Sequence, residues 1–166
     1  MASRGAAFAC SLLIGVSAWA MGKARQVPSD HATVRRAVDG DTVELQDGQL
    51  VRYIGIDTPE SRRRDARGEW VEDPQPLSHE ATEFNRRLVA GRRVRLEYDA
   101  QTYDRYHRLL AYLYVESDGG EVMVNEELLR AGLAQLLTIP PNVKYVERFR
   151  TLVEEARRQR RGLWKD

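Results

Sequence analysis

From residue 33 to residue 56 the chain alternates apolar and polar side chains in short runs. Residues 33–38 and 42–45 carry the two-residue period of half-buried strands. Asp47-Gly48 is the tight-turn pair that leads into a third run over 50–56. Residues 61–78 break the pattern, and their Arg, Asp and Pro content predicts a mobile surface loop. The period then changes. Ala81, Phe84, Leu88 and Val89 recur at helical spacing, which predicts a helix N-capped by Ser78 and ended by Gly91. Val94, Leu96 and Tyr98 alternate as in a strand. Residues 109–115 form another, turned at 117–120 into 121–124. Asn125 can cap a short helix, with Glu126 and Glu127 complementing the dipole of its first turn and Gly132 at its stop. Beyond Pro140-Pro141, Tyr145, Phe149, Leu152, Val153 and Ala156 form one stripe of a last helix over 143–161. Gly162 ends it, and Trp164 is expected to fold back on the domain. Five strands with one helix inserted and two at the end predict an α+β, mainly β domain: a small closed barrel with three helices rather than a parallel α/β sheet.

The N-terminus follows a different rule. One positive charge, Arg4, precedes an uncharged and mostly apolar run over 5–22, and Ala18-Trp19-Ala20 is a small-x-small cleavage pattern. This predicts a signal peptide over 1–20, a polar linker over 21–31 and one domain over 32–166. The alternative is an uncleaved membrane anchor over 5–22. The single cysteine, Cys10, lies inside that run, so the mature chain would have no disulfide and no thiol chemistry. The expected location is secreted or periplasmic.

Charge adds little globally. The formal net charge is +1, and removing the first twenty residues deletes only Arg4, so 26 basic side chains become 25 against 25 acidic ones. Local clusters stand out more: Arg62, Arg63, Arg64 and Arg67, and Arg157, Arg158, Arg160 and Arg161. Either set could track a nucleic-acid backbone or serve as a solvated face.

Candidate chemistry concentrates between residues 39 and 60. Asp41 and Asp57 offer hard oxygen ligands, which favour Ca²⁺ or Mg²⁺ over zinc. Arg52 can grip phosphate through its planar fork, and Glu60 could deprotonate or position water. Together they suit phosphodiester hydrolysis, where an anionic substrate gains further charge in the transition state. Taken singly, each has a plainer reading. Asp39-Gly40-Asp41 is a common turn, Thr58-Pro59-Glu60 a common loop start, and Arg52 a surface strand residue. His31 and His79 have no metal-like spacing and are expected at the surface.

A further segment, residues 103–112 (YDRYHRLLAY), joins VDGDTVEL, RYIGIDTPE and the later VNEELLRAGLA. In that order they resemble the staphylococcal nuclease (thermonuclease-like) family over about residues 33–164. The resemblance implies an oligonucleotide-binding-type five-stranded barrel with three helices. It also implies Ca²⁺-dependent hydrolysis of DNA and RNA that leaves 3′-phosphate ends; a monomer without stable protein partners is expected. Residue by residue, it implies Asp41 and Asp57 as calcium ligands, with Thr58 adding its carbonyl. It implies Glu60 as the group that activates water, and Arg52 and Arg108 as the phosphate-binding arginines. Tyr106, with Arg105 beside it, would lie near the bound nucleotide, and Asp39 would be a turn residue. Two departures stand out. His107 replaces a common glycine before Arg108. Residues 135–141 (QLLTIPP) lack the tyrosines that hold a base in the best-known member. A barrel that binds nucleic acid or protein without cutting is the competing reading, and an extracytoplasmic calcium-binding or structural barrel a third. Retention of Asp41, Asp57, Glu60, Arg52 and Arg108 together speaks for the enzyme.

Overall fold

The computed structural model describes residues 29–165. The predicted signal peptide and most of the predicted linker lie outside them. In chain order the elements are β1 (His31–Ala37), β2 (Thr42–Leu45), β3 (Leu50–Tyr53), β4 (Ile56–Asp57), β5 (Arg62–Arg64), β6 (Trp70–Glu72), α1 (Ser78–Val89), β7 (Arg93–Glu97), β8 (Leu109–Ser117), β9 (Gly120–Met123), α2 (Val124–Arg130), β10 (Gln135–Leu136) and α3 (Val146–Arg158). A single 3₁₀ turn, Gly162–Trp164, follows.

Five of these strands close on themselves. The order runs β3-β2-β1-β7-β8, and β3 returns to pair with β8. That closing pair is parallel, with Val51, Arg52 and Tyr53 opposite Leu109, Leu110 and Ala111. The register of β1 on β2 slips between Val34 and Arg36. The extra residue bends β1, so one end pairs with β7 and the other with β2. Closure leaves no open barrel edge. The alternation read from the sequence supplies the interior: Val34, Val43, Val51, Leu96 and Leu113 are almost fully buried. Each such side chain contributes about 1.5–3 kcal/mol when removed from water. The helices pack outside through the predicted stripes, with Ala81 and Val89 of α1 and Phe149, Leu152, Val153 and Ala156 of α3 buried. Trp164 does fold back, partly buried on the core beneath the Arg157 guanidinium, 4.2 Å from the ring centroid.

Four expectations need correction. The run over 50–56 is not one strand. It breaks after Tyr53 and resumes as β4, because Gly55 takes φ 82° with the Phe149 ring where its Cβ would stand. The break turns the chain so that Ile56 and Asp57 pair with Leu136 and Gln135 of β10. Residues 61–78 are not a structureless loop but contain the β5–β6 hairpin, in which Arg62, Arg63 and Arg64 face Glu72, Val71 and Trp70. Ser78 does not cap α1. Leu77 holds the cap position at φ 68°, and the Ser78 hydroxyl makes no capping bond. Asn125 does not cap α2 either. It is fully buried in the first turn, where it accepts from the Leu113 N–H (3.1 Å) and donates to the Ile54 carbonyl (2.9 Å). Its amide ties β8 to the turn after β3.

Candidate active site

β3 carries Arg52 between Thr42 of β2 and Leu110 of β8, in the middle of the closed wall. Its side chain is only 13% exposed and reaches two carboxylates. Nη2 donates to Asp57 Oδ1 at 2.6 Å, and Nη1 lies against Asp41 Oδ1. Asp41 itself is buried. Its Oδ2 accepts from the Thr58 backbone N–H (2.9 Å) and hydroxyl (3.0 Å), and its Oδ1 from the Thr42 hydroxyl (3.3 Å). One carboxylate thus fixes the start of β2 to the segment after β4.

The turn before Asp41 has a matching reason for its sequence. Asp39 Oδ1 accepts from the Asp41 N–H at 3.0 Å, the turn role expected of it. A Cβ on Gly40 would stand 2.5 Å from the Thr58 hydroxyl oxygen, so only glycine admits this approach. Buried Asn85 of α1 donates to the Asp39 carbonyl (2.9 Å) and accepts from the Tyr53 hydroxyl (2.8 Å).

Asp57 is half exposed, 51% by side chain. Glu60 lies at the surface, yet its carboxyl is partly desolvated. That burial, then the charges of Asp39 and Asp57, raise its pKa above the ordinary carboxylate value, against the pull of Arg52 and Arg108. Burial also raises Asp39, again opposed by Arg52 and Arg108. Glu60, both arginines and the acids Asp39 and Asp57 therefore share one electrostatic field. Arg108 is held from behind by Asp104, which accepts from its Nε (2.7 Å) and backbone N–H (3.0 Å) and from the Tyr106 N–H (2.8 Å). Burial opposes ionisation of Asp104, but the Arg108 contacts outweigh it and lower its pKa. The Arg105 guanidinium lies over the Tyr106 ring, 4.7 Å from its centroid, and donates to its hydroxyl at 2.6 Å.

Arg52 and Arg108 also line an open cleft of about 490 Å³, together with Asp104, Arg105, Tyr106, Leu137 and Ile139. The eight residues singled out from the sequence are thus drawn into two adjoining groups. The acids Asp41 and Asp57, with Thr58, surround Arg52, and Glu60 shares their electrostatic field. Arg105, Tyr106 and Arg108 form one turn of the cleft wall. Among the described residues, no three His, Cys, Asp or Glu side chains form a ready-made cation cage. Asp41 and Asp57 converge on one guanidinium, and their hard oxygens are the donor type that Ca²⁺ takes when carbonyls and water complete its shell.

The family model described as staphylococcal nuclease homologue matches residues 50–166. The thermonuclease of Staphylococcus hyicus is 39% identical over 134 residues, covering 79% of this chain and 73% of that protein. The chain belongs to the staphylococcal nuclease family. The thermonuclease of Staphylococcus intermedius is 37% identical over 134 residues (79% of this chain, 74% of that protein). Endonuclease YncB of Bacillus subtilis is 35% identical over 139 residues (81% and 61%). The protein is a nuclease, a hydrolase acting on nucleic acid. Its closed five-stranded barrel with three helices is the oligonucleotide-binding-type architecture expected.

Both departures from the family pattern have a structural outcome in this nuclease. His107 keeps the glycine-like backbone, at φ 63°, and donates its N–H to the Asp104 carbonyl at 3.1 Å. Histidine accepts that conformation at a cost of about 1–2 kcal/mol, and Arg108 stays on Asp104. The part of the cleft wall supplied by residues 135–141 is aliphatic, with Leu137 half-buried and Ile139 61% exposed.

Asp104, the anchor of Arg108, was missed from the sequence, and so were two other supporting residues. One is Asn85, an unremarkable polar position in a helix. The other is Gln75, whose Oε1 accepts from the Glu60 N–H (3.0 Å) while its own N–H donates to the Glu60 carbonyl (2.9 Å). Gln75 lies in a polar stretch with no periodicity to mark it.

Proposed function

We propose that this nuclease is an exported, Ca²⁺-dependent phosphodiesterase that cuts both DNA and RNA and leaves 3′-phosphate ends. The observation that carries the proposal is Arg52 shared between Asp41 and Asp57, in one field with Arg108 and Glu60. Asp41, Asp57 and the Thr58 carbonyl would hold Ca²⁺, which when bound neutralises charge on a phosphoryl oxygen. Arg52 donates through Nη2 to Asp57 and holds its Nη1 against Asp41, and its fixed positive charge would meet the phosphate. Arg108, aimed by Asp104, stabilises the charge that gathers on the phosphoryl and leaving oxygens. Glu60 takes the proton of the attacking water. Attack in line breaks the bond from phosphorus to the 5′-oxygen. Tyr106 and Arg105 line the cleft where the nucleotide would lie.

Incubation of the mature protein with single-stranded DNA, duplex DNA and RNA, in Ca²⁺ and then in chelator, tests this directly. Arg108→Ala should abolish cleavage, and end-labelling should find 3′-phosphates. Metal-independent cleavage, or 5′-phosphate products, would overturn the mechanism. Export rests on Arg4, the apolar run over 5–22 and Ala18-Trp19-Ala20. The secreted protein should begin at Met21; an intact Met1 in the membrane fraction would support an anchor instead.

A further inference from the structure

The cleft beside Arg52 is built from distant parts of the chain. Leu137 and Ile139 come from the segment after α2, and Arg105, Tyr106 and Arg108 from the turn before β8. Asn142 joins the two. It is buried, only 6% exposed, although residues 139–141 and 143–144 on either side of it are exposed. Its amide spends both ends on one partner 41 residues away. Oδ1 accepts from the Gln101 N–H at 2.7 Å, and Nδ2 donates to the Gln101 carbonyl at 2.9 Å. A side chain thus reproduces the paired bonds that two antiparallel strands exchange. The Asn142 N–H also donates to the Ile139 carbonyl at 3.2 Å, so the residue shapes the wall that it fastens. A second tie lies behind it, where Asp99 Oδ2 accepts from the Lys144 N–H (3.1 Å) and the Tyr112 hydroxyl (3.0 Å).

From Gln101 three residues lead to Asp104, the anchor of Arg108. β8 secures this stretch: the Leu110 N–H donates to the Thr102 carbonyl (2.8 Å), and the Asp104 N–H to the Arg108 carbonyl (3.0 Å). Those bonds fix the turn to the barrel. They do not fix it to the opposite wall. We propose that Asn142 is a positioning residue for the nuclease reaction, whose amide locks the turn carrying Arg108 to the Leu137–Ile139 wall and so sets where the Arg108 guanidinium meets the scissile phosphate. The inference rests on the reading of Arg108 as a phosphate-binding group. Aspartate cannot replace Asn142 at neutral pH, since a carboxylate accepts from the Gln101 N–H but has no hydrogen for the carbonyl.

Kinetics on single-stranded DNA and amide hydrogen exchange test the proposal. Asn142→Ala should lower kcat about 10-fold, the scale of a misplaced catalytic group, while KM stays within about 2-fold, because Arg108 acts on charge that gathers in the transition state. Asn142→Asp should lose a similar factor. Leu152→Ala, a core change in α3 that also destabilises the fold, should keep the wild-type kcat below its unfolding transition. Combined with Asp104→Asn, Asn142→Ala should slow the enzyme by no more than about a further 2-fold, since residues that act through one group are not additive. In Asn142→Ala the Arg108 amide should exchange about 5-fold faster relative to the amides of α1, as expected when one hydrogen-bonded link is lost. An unchanged kcat, an equal fall in Leu152→Ala, or a full additional 10-fold fall in the double variant overturns the proposal. Arg108→Ala that cleaves like the wild type defeats the reading of Arg108 instead, and the exchange rate then decides alone whether Asn142 holds this turn.

Discussion

Replacing Asn125 by alanine should destabilise this nuclease far more than loss of a helix cap would. The Asn125 amide is fully buried and is bonded to the Leu113 N–H and the Ile54 carbonyl. Alanine strands both backbone groups away from water. Each unsatisfied group costs about 1–3 kcal/mol, so the expected loss is about 2–6 kcal/mol. A cap replaced by alanine would lose about 1 kcal/mol. Against a typical domain stability of about 5–15 kcal/mol, the larger figure is a substantial fraction. Aspartate separates the two partners. Its carboxylate still accepts from Leu113 but has no hydrogen to offer Ile54, and burial raises its pKa. Protonation supplies that hydrogen. Asn125→Asp should therefore be poorly stable at neutral pH and regain stability as pH falls through its raised pKa. Urea unfolding of the three proteins, with equal slopes, gives the comparison. A loss near 1 kcal/mol for Asn125→Ala, or no recovery of Asn125→Asp in acid, would refute the cross-link.

Three further predictions concern the site and its surroundings. Asp104→Asn faces the Arg108 Nε with an amide that can donate where acceptance is needed, so kcat should fall about 100-fold by misplacement of Arg108; unchanged kcat would dismiss Asp104 as its anchor. Gln75→Ala removes the acceptor for the Glu60 N–H and should lower kcat about 10-fold while stability moves by under about 0.5 kcal/mol. Gln75→Glu keeps the acceptor and should restore kcat. Burial opposes ionisation of Glu97, but Lys144 (2.6 Å) and Tyr145 (2.7 Å) outweigh it and lower its pKa. Its contribution is therefore present above the unfolded glutamate pKa and lost as pH falls through the folded one. Glu97→Gln should cost about 1–2 kcal/mol at pH 7, a gap that closes in acid; a pH-independent gap in chemical denaturation would contradict this.

What the sequence revealed and what it hid divide along physical lines. Strand alternation and helical stripes are local signals, so the barrel strands, α1 and α3 were legible to within a few residues. The acid and arginine positions were legible because three separated motifs occur in order. Positions whose role depends on distant partners were not. Asn125 looks like a cap because asparagine is a good cap, and nothing local announces Ile54, 71 residues away. The break at Gly55 depends on Phe149, which arrives only when α3 packs. The β5–β6 hairpin is held by cross-strand ion pairs and an aspartate turn rather than by an apolar face. Its sequence therefore has the composition of a loop.

In the proposed mechanism Arg52, Arg108 and Glu60 cut a phosphodiester bond with Ca²⁺ held by Asp41, Asp57 and the Thr58 carbonyl. Single-turnover cleavage of an end-labelled single-stranded oligonucleotide, wild type beside Glu60→Gln, with Ca²⁺ titrated from chelator to saturation, addresses it most directly. The expected result is no cleavage in chelator, saturable activation by Ca²⁺, and a rate at least about 100-fold lower in Glu60→Gln, the scale of a lost general base. Equal rates for the two proteins, or full activity in chelator, would contradict it.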